Sequence, residues 1–290
     1  MGERVHQLPV PCFTLGEGPY WVEDEQALLV WLTMAIPVEG EKDLWVVGLG
    51  NTLATVHWAA SDPDHHTVKP KVLHATDDFH FNDAKCDPEG RLWTGTMSKL
   101  DDDWEPISPR SCFLYKYDHN LDITTCAKDV TLSNGMTWSN DKKHFYYVDS
   151  FTACVYHFDY DAAKGKLSRV LLDFKAAGLN GVPDGMTIDK DDNLWIACFL
   201  GGKVVCVDPR RRAVVREVTV PALSVTSVCW GGEDYATLYV TTGTFRMTPE
   251  QCAAQPSAGG TFAITGLGTR GSPPVPFKPD LTKLRAKLQL

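Results

Sequence analysis

The segment PDGMTIDKDDNLWIACF, residues 183–199, contains the pattern on which the fold prediction depends. A polar turn, DKDDN, precedes a short run in which aromatic and other apolar residues alternate, and such a run predicts a β-strand. Comparable runs occur along the chain at 27–33, 43–49, 90–97, 144–150, 193–199 and 236–243. The chain therefore contains an internal repeat built from short strands.

The spacing of this repeat predicts the fold class. The residues taken as equivalent are Leu29, Trp45, Trp93, Tyr146, Trp195 and Tyr239. They are separated by 16, 48, 53, 49 and 44 residues. A period of roughly 40 to 50 residues made of short strands is typical of a β-propeller, in which each repeat is one blade. We therefore predict an all-β fold with one propeller domain over residues 1–290. Residues 271–290 would be a C-terminal tail, whose basic run from Lys278 to Lys287 is expected to be solvated.

Composition narrows the class of protein. Hydrophobic residues make up 43% and charged residues 22%, and the formal charge of -9 argues against a nucleic-acid partner. Nine cysteines without close paired spacings indicate reduced thiols rather than a disulfide framework. Residues 1–13 lack the apolar core of a secretory signal, and no apolar stretch is long enough for a membrane span. We expect a cytoplasmic monomer with a small-molecule substrate and no membrane partner.

Polar residues recur at the start of the strand that precedes each repeat strand. Glu17, Asn82, Asn134 and Asp184 hold corresponding places, at spacings of 65, 52 and 50 residues, and Thr226 is near the same place in the last repeat. In a propeller these positions face a common axis. Carboxylate and amide oxygens are hard ligands, which predicts a site for a divalent cation. The alternative is that Asn-Gly and Asp-Gly form plain turns between strands.

The segments that carry these residues resemble the SMP-30/gluconolactonase/luciferin-regenerating-enzyme family, over about residues 14–270. They are GEGP (16–19), FNDAKCDPEGRLWTGTM (81–97), SNGMTWSNDKKHFYYVDS (133–150), PDGMTIDKDDNLWIACF (183–199) and VTSVCWGGEDYATLYVT (225–241). The segments WSNDKKHFYYVDS and TGLGTRG, 138–150 and 265–271, are most similar to the insect luciferin-regenerating branch. The resemblance implies a six-bladed propeller with one divalent metal in its channel and, in many members, lactone hydrolysis.

The resemblance also assigns roles to residues. It makes Glu17, Asn134 and Asp184 the metal ligands and Asn82 a substrate contact or additional ligand, with Ca²⁺ favoured and Zn²⁺, Mn²⁺ or Mg²⁺ as alternatives. In a metal-assisted hydrolysis of a cyclic ester, Asp184 or Glu17 would act as general base and Asn82 as a donor to the oxyanion. His80 would be a substrate donor or a proton shuttle. The alternatives are an enzyme acting on an aromatic heterocycle and a non-catalytic metal-binding protein.

Three features depart from the family pattern. The usual Arg-x-Asn-Asp-Gly reads HFNDA here, so imidazole at His80 replaces a permanently charged donor. The candidates for an acidic lid residue are Glu105 and Ser108. The third departure is the 16-residue spacing between the first two repeats, which is roughly 25 to 30 residues short of a blade. Either residues 17–60 fuse into one four-stranded blade, giving five blades, or six positions remain with an incomplete sector.

Overall fold

The computed structural model describes residues 2–31, 33–59, 70–103, 105–160, 166–245 and 247–289. Within these residues the strands form five four-stranded antiparallel sheets and one two-stranded sheet, accompanied by two short α-helices. This is the all-β propeller fold class that the repeat predicted, with four-stranded sheets as its blades.

The secondary-structure elements follow one another in a regular order. They are β1 (Arg4–Gln7), β2 (Glu17–Val22), β3 (Ala27–Trp31), β4 (Ala35–Pro37), β5 (Leu44–Leu49), β6 (Thr52–His57), β7 (Lys71–Ala75), β8 (Phe79–Cys86), β9 (Leu92–Ser98), β10 (Cys112–Tyr117), β11 (Ile123–Val130), β12 (Ser133–Trp138), β13 (His144–Asp149), β14 (Cys154–Asp159), β15 (Lys166–Asp173), β16 (Val182–Ile188), β17 (Leu194–Phe199), β18 (Lys203–Asp208), β19 (Ala213–Thr219), β20 (Ser224–Gly231), β21 (Thr237–Gly243), α1 (Pro249–Ala254), β22 (Phe262–Thr265) and α2 (Leu281–Leu288).

The chain divides into two compact units, of which unit 1 comprises residues 1–32 and 134–274. Its sheets are β12–β13–β14–β15, β16–β17–β18–β19, the pair β2–β3, and β20–β21–β22–β1. Apolar side chains fill the space between these sheets: Trp195 meets Trp230 edge to face at 5.6 Å, and Trp21 stacks on Tyr239 at 5.4 Å. Trp21 thereby packs the two-stranded sheet against the sheet that contains β21.

Unit 2 comprises residues 33–133 and 275–290. Its sheets are β4–β5–β6–β7 and β8–β9–β10–β11. The C-terminal segment joins this unit, because Phe277 is fully buried and pairs with Val38, while Leu284 and Leu288 of α2 are also buried. The expectation of a solvated tail is therefore wrong for this segment. The basic residues of α2 are exposed, but its apolar stripe is packed.

The repeat runs of the sequence correspond to the second strand of each sheet, namely β3, β5, β9, β13, β17 and β21. The structure also explains the short spacing of 16 residues between the first two repeats, from Leu29 to Trp45. The sheet β2–β3 has two strands among the described residues, and β4, which opens the next sheet, is only 3 residues long. Residues 17–59 thus contribute to two separate sheets and do not fuse into one four-stranded blade. The single-domain assignment of 1–290 stays a prediction.

Two composition-based expectations bear on the described residues. All nine cysteines are free thiols in this structure, and most of them are buried in strands. None of the described helices has the length and hydropathy that a membrane crossing requires.

Candidate metal centre

All three predicted metal ligands lie in unit 1, on the first strands of their sheets. Glu17 begins β2, Asn134 lies in β12 and Asp184 lies in β16. Asn134 and Asp184 are almost fully buried, with 6% and 5% of their surface exposed, and Glu17 is half-buried. Thr226, at the related position of the last repeat, is fully buried in β20.

Interruptions of strand pairing accompany these residues. The register between β16 and β17 shifts between Pro183 and Met186, the interval that contains Asp184. A shift in β2 directly follows Glu17, and another in β20 spans Thr226. A β-bulge leaves a residue outside the regular ladder and changes the direction of its side chain. Glu17, Asp184 and Thr226 therefore lie at bulges of the first strands, which the sequence pattern did not predict.

The first strands of neighbouring sheets in unit 1 approach each other closely. A Cβ atom at Gly135 would overlap the carbonyl oxygen of Asp184, so glycine allows β12 to lie against β16. A Cβ atom at Gly185 would overlap the side chain of Ser227 in β20 in the same way. These contacts place the backbone that carries Asn134 beside the backbone that carries Asp184.

The series continues from β20 to β2. The Thr226 hydroxyl donates a hydrogen bond to the carbonyl oxygen of Gly16, the residue before Glu17. The same hydroxyl lies 2.9 Å from the hydroxyl of Thr241 in β21. Thr226 thus connects β20 to the residue before β2 and also contacts Thr241 of β21. These contacts give Thr226 a structural role rather than that of a metal ligand.

The amide of Asn134 has a defined orientation. Its Nδ2 donates to Oγ of Ser150 at 3.1 Å, and that hydroxyl in turn donates to the carbonyl oxygen of Pro183 at 2.7 Å. Ser150 therefore bridges β12 to the residue before Asp184. Since the amide nitrogen is engaged in this way, the carbonyl oxygen is the Asn134 atom left for a ligand.

The other predicted site residues, Asn82 and His80, lie on β8 in unit 2. Asn82 is half-buried, and its Nδ2 donates to the backbone oxygen of Ser133 at 2.8 Å. A register shift between Phe81 and Ala84 contains Asn82, as in the strands of unit 1. His80 is half-buried and lies opposite Met97 of β9. Of the lid candidates, Glu105 and Ser108 are both exposed.

Sequence reasoning gave no role to Asp83, which lies beside Asn82 in the same bulge. Its Oδ1 accepts a hydrogen bond from the backbone nitrogen of Ala84 at 2.7 Å. Desolvation by burial raises the pKa of Asp83, against the opposing effects of Lys85 and the Ala84 hydrogen bond. A carboxyl group of raised pKa next to a predicted substrate contact is a candidate functional group. The Asn-Asp pair in FNDAKCD was the available signal.

Burial disfavours the thiolate form of three cysteines. Burial is the main cause that raises the pKa of Cys198 and of Cys206 to about 12 each, and that of Cys126 to about 11. A thiol with such a pKa is protonated at neutral pH and is a poor nucleophile or metal ligand. This agrees with the expectation of reduced structural cysteines.

Comparison with known proteins identifies the family. Residues 31–244 match the family model described as "SMP-30/Gluconolactonase/LRE-like region". The chain belongs to this family. The motifs quoted from the sequence had indicated the same family, and that prediction is confirmed.

Individual relatives show how far the similarity extends. A protein named regucalcin from Danio rerio is 35% identical over 287 residues, covering 91% of this chain and 94% of its own. "Putative sugar lactone lactonase YvrE" of Bacillus subtilis (strain 168) is 38% identical over 213 residues, 73% of this chain and 70% of its own. A solved luciferin-regenerating enzyme has a TM-score of 0.85 at 29% identity, with 96% of this chain and 100% of that chain covered.

Proposed function

We propose that this protein is a divalent-metal-dependent hydrolase of a lactone. The observation that carries the proposal is the series of contacts along the first strands of unit 1: the strand of Asn134 adjoins that of Asp184, and β20 connects the strand of Asp184 to the start of β2, where Glu17 lies. One amide and two carboxylates are hard oxygen donors. We favour Ca²⁺ as the ion, with Zn²⁺, Mn²⁺ or Mg²⁺ as alternatives. A relative named as a sugar lactone lactonase supports the reaction class.

The residues of unit 1 fit such an ion in their chemistry. Asp184 has only 5% of its surface exposed, and a carboxylate so deeply buried is costly unless a cation or hydrogen-bond donors balance its charge. Asn134 has its amide nitrogen engaged by Ser150, which leaves its carbonyl oxygen for the ion. When bound, a divalent cation supplies Lewis acidity toward the carbonyl oxygen of the ester.

We assign the general base to Asp184, with Glu17 as the alternative. The carboxylate would accept a proton from the water that attacks the ester carbonyl. The roles of Asn82 as oxyanion donor and of His80 as substrate donor or proton shuttle stay predictions from the sequence. The monomeric state and the cytoplasmic location also stay predictions.

A second function is favoured by a specific observation. The likeness to a luciferin-regenerating enzyme, with a TM-score of 0.85, suggests a substrate built on an aromatic heterocycle. Imidazole at His80, in place of the family arginine, suits a substrate that is less anionic than a sugar acid lactone. We therefore include an aromatic heterocyclic substrate in the test.

The first prediction concerns Asp184. Chelator-stripped protein is given Ca²⁺, Mg²⁺, Mn²⁺ or Zn²⁺, and proton release is followed with a panel of small lactones and with the aromatic heterocycle. Replacing Asp184 by Asn should lower kcat by about 10²- to 10⁴-fold, because a general base contributes that much. The matched control, Asp102→Asn, makes the same chemical change at an exposed residue and should retain full activity.

Calorimetric titration of the Asp184→Asn variant with the activating ion shows which role Asp184 has. If the variant still binds the ion, it has lost only the general base; if binding is lost, Asp184 is a metal ligand.

The turnover assay has three further outcomes that bear on the proposal. Absence of metal-dependent lactone turnover in wild-type protein that melts cooperatively would refute the lactonase. Turnover of the heterocycle alone would support the second function, and metal binding without any turnover would leave a metal-binding protein.

A further inference from the structure

Three potential metal ligands lie together in unit 1, on the sheet β12–β13–β14–β15. None of them was predicted as a metal ligand or as a catalytic residue. Nε2 of His157 lies 2.9 Å from Nδ1 of His144. The same nitrogen of His144 lies 3.9 Å from Oδ1 of Asp159. The ligand atoms of all three side chains are within 4.8 Å of one another.

The pairing of β13 with β14 explains why these side chains meet. His144 is directly opposite Asp159, and Tyr146 is directly opposite His157. Because side chains alternate along a strand, residues 144 and 146 share one face of the sheet with 157 and 159. His144 and His157 are therefore diagonal neighbours across the two strands. A sheet face holds such ligands more rigidly than a loop does.

The imidazole of His157 is fixed by its surroundings. Its ring stacks on the ring of Tyr146, with centroids 5.3 Å apart and planes inclined by 23°, and only 6% of the residue is exposed. The other two ligands face solvent, since the side chains of His144 and Asp159 are 39% and 83% exposed. An ion therefore has one immobile ligand and two ligands that it can reach from solution.

We infer that His144, His157 and Asp159 form a second metal site, which takes a transition-metal dication of the Cu²⁺ or Ni²⁺ type. At metal–nitrogen distances of about 2.0–2.1 Å, nitrogen atoms 2.9 Å apart subtend an angle of about 90° at the metal. Adjacent ligands of a tetragonal or octahedral ion have this angle, whereas a tetrahedral Zn²⁺ pair would be about 3.3 Å apart. Two imidazoles and one carboxylate suit an ion of intermediate softness.

Binding requires only local changes. Without the metal, one imidazole N–H donates to the other ring, and each neutral ring has one further nitrogen. Where His144 is the donor, its hydrogen moves to Nε2, so both facing nitrogens carry lone pairs and both rings stay neutral. The two lone pairs face each other in the hydrogen bond, so the His144 ring, whose side chain is 39% exposed, then turns to direct its lone pair at the ion. Asp159, on the exposed side, then moves its carboxylate by about 1 Å to complete the set, which a ligand distance near 2.0–2.2 Å requires.

The consequence for the molecule is a metal link between β13 and β14. The site differs in ligand class from the one proposed for lactone hydrolysis, whose three ligands are all oxygen donors. A signal from coordinated nitrogen therefore reports the second site, and lactone turnover reports the first.

The test uses Cu²⁺ as the probe on chelator-stripped full-length protein. Electron paramagnetic resonance at one equivalent of Cu²⁺ should show hyperfine splitting from two imidazole nitrogens. Replacing His144 by Gln should remove one coordinated nitrogen from the spectrum. It should weaken Cu²⁺ binding at least 10- to 100-fold, because losing a residue that only supports a ligand already costs about that much. Asp159→Asn should weaken binding and keep both nitrogens. Cu²⁺ should raise the melting temperature of the wild type and not that of the His144→Gln variant.

His57→Gln is the matched control, because His57 is an exposed histidine at the end of β6. This variant should bind Cu²⁺ as the wild type does. A wild-type spectrum without two-nitrogen splitting would overturn the inference, and so would a spectrum that the His144→Gln substitution leaves unchanged. The His144→Gln and Asp159→Asn variants should both keep lactone turnover, so loss of the nitrogen signal and failure of the lactonase proposal are separate results.

Discussion

Asp87 and Asp189 hold the turns that precede two repeat strands by the same hydrogen bonds. Oδ2 of Asp189 accepts from the indole nitrogen of Trp195 at 2.9 Å, and its Oδ1 accepts from the backbone nitrogens of Asp191 and Asn193. Asp87 binds the indole of Trp93 at 2.8 Å and its own turn in the same manner. The six-residue Asp-to-Trp spacing in DPEGRLW and DKDDNLW is therefore structural.

This geometry predicts that Asp189→Asn destabilises the protein. Asp189 is only 1% exposed and uses both carboxylate oxygens as acceptors, whereas an asparagine amide has one acceptor oxygen. In the variant, the NH₂ group of asparagine would face either the indole N–H of Trp195 or the backbone N–H groups of the turn, and those donors would lose their acceptor. We expect the free energy of unfolding in urea to fall by about 1–3 kcal/mol, the cost of a buried donor without its partner.

A double-mutant cycle with Trp195→Phe provides the control. Phenylalanine has no indole N–H, so the amide oxygen introduced at position 189 in the double variant can serve the turn. Asp189→Asn should therefore cost less in the Trp195→Phe background than in the wild type. Equal costs in the two backgrounds would show that the indole hydrogen bond is not the source of the destabilisation.

At the scale of elements, close packing within each unit depends on glycine at defined positions. A Cβ atom at Gly95 in β9 would overlap Oγ and Cβ of Ser133, and the next nearest atom is the carbonyl oxygen of Phe113 at 3.2 Å. At Gly135 the obstructing atoms include the backbone oxygen of Asp184. A second mutation can therefore remove the obstructing side chain at Gly95, but no mutation can remove the obstructing backbone atoms at Gly135.

We therefore predict that Gly95→Ala is destabilising and that Ser133→Gly partly rescues it. The single variant should lose about 1–3 kcal/mol of unfolding free energy through overpacking. Removing the Ser133 side chain removes both overlapping atoms, and its Oγ has no hydrogen-bond partner among the described residues. Thermal and urea denaturation of the two single variants and the double variant would measure the rescue.

Gly135→Ala gives the contrasting case. Its added methyl group meets backbone atoms of Asp184 and Met186, so β12 and β16 must move apart. The loss should exceed that of Gly95→Ala and should extend to the metal affinity that we propose for Asn134 and Asp184. If Gly135→Ala proved milder than Gly95→Ala, the close approach of the two strands would be disproved.

At the scale of the whole molecule, each unit is completed by a segment from one end of the chain. In unit 1, β1 pairs with β22 from Arg4 opposite Thr265 to Gln7 opposite Phe262. An ion pair between Glu3 and Arg216 adds a second contact. In unit 2, the segment after residue 274 supplies Phe277 and α2. Strand pairing between residues far apart in the chain is expected to form slowly during folding. Until it forms, the edge strand of the sheet has unpaired backbone groups.

Deleting residues 2–7 should therefore destabilise unit 1 selectively. Without β1, β22 becomes an exposed edge strand, and we expect faster amide hydrogen exchange in β21 and β22 with little change in β5 and β6 of unit 2. Removal of residues 281–289 is the reciprocal control, which should accelerate exchange in unit 2. Uniform acceleration in both units after either deletion would contradict this assignment.

Local patterns were sufficient for the repeat and for most positions of the candidate centre. Alternation of apolar residues located the six second strands, and the repeat period placed Glu17, Asn134 and Asp184 on first strands, as the structure has them. Those features depend on residues within one repeat, where side-chain period and turn chemistry act over a few positions.

Pairing between distant residues decided the rest. It gave β2–β3 its own two-stranded sheet, placed bulges at Asp184 and Asn82, and packed the C-terminal helix against unit 2. It also brought His144 diagonally opposite His157. The sequence by itself determined the fold class, the family and the polar first-strand positions, because these follow from short-range periodicity. Tertiary structure alone decided strand register and side-chain neighbours, because both depend on contacts between residues far apart in the chain.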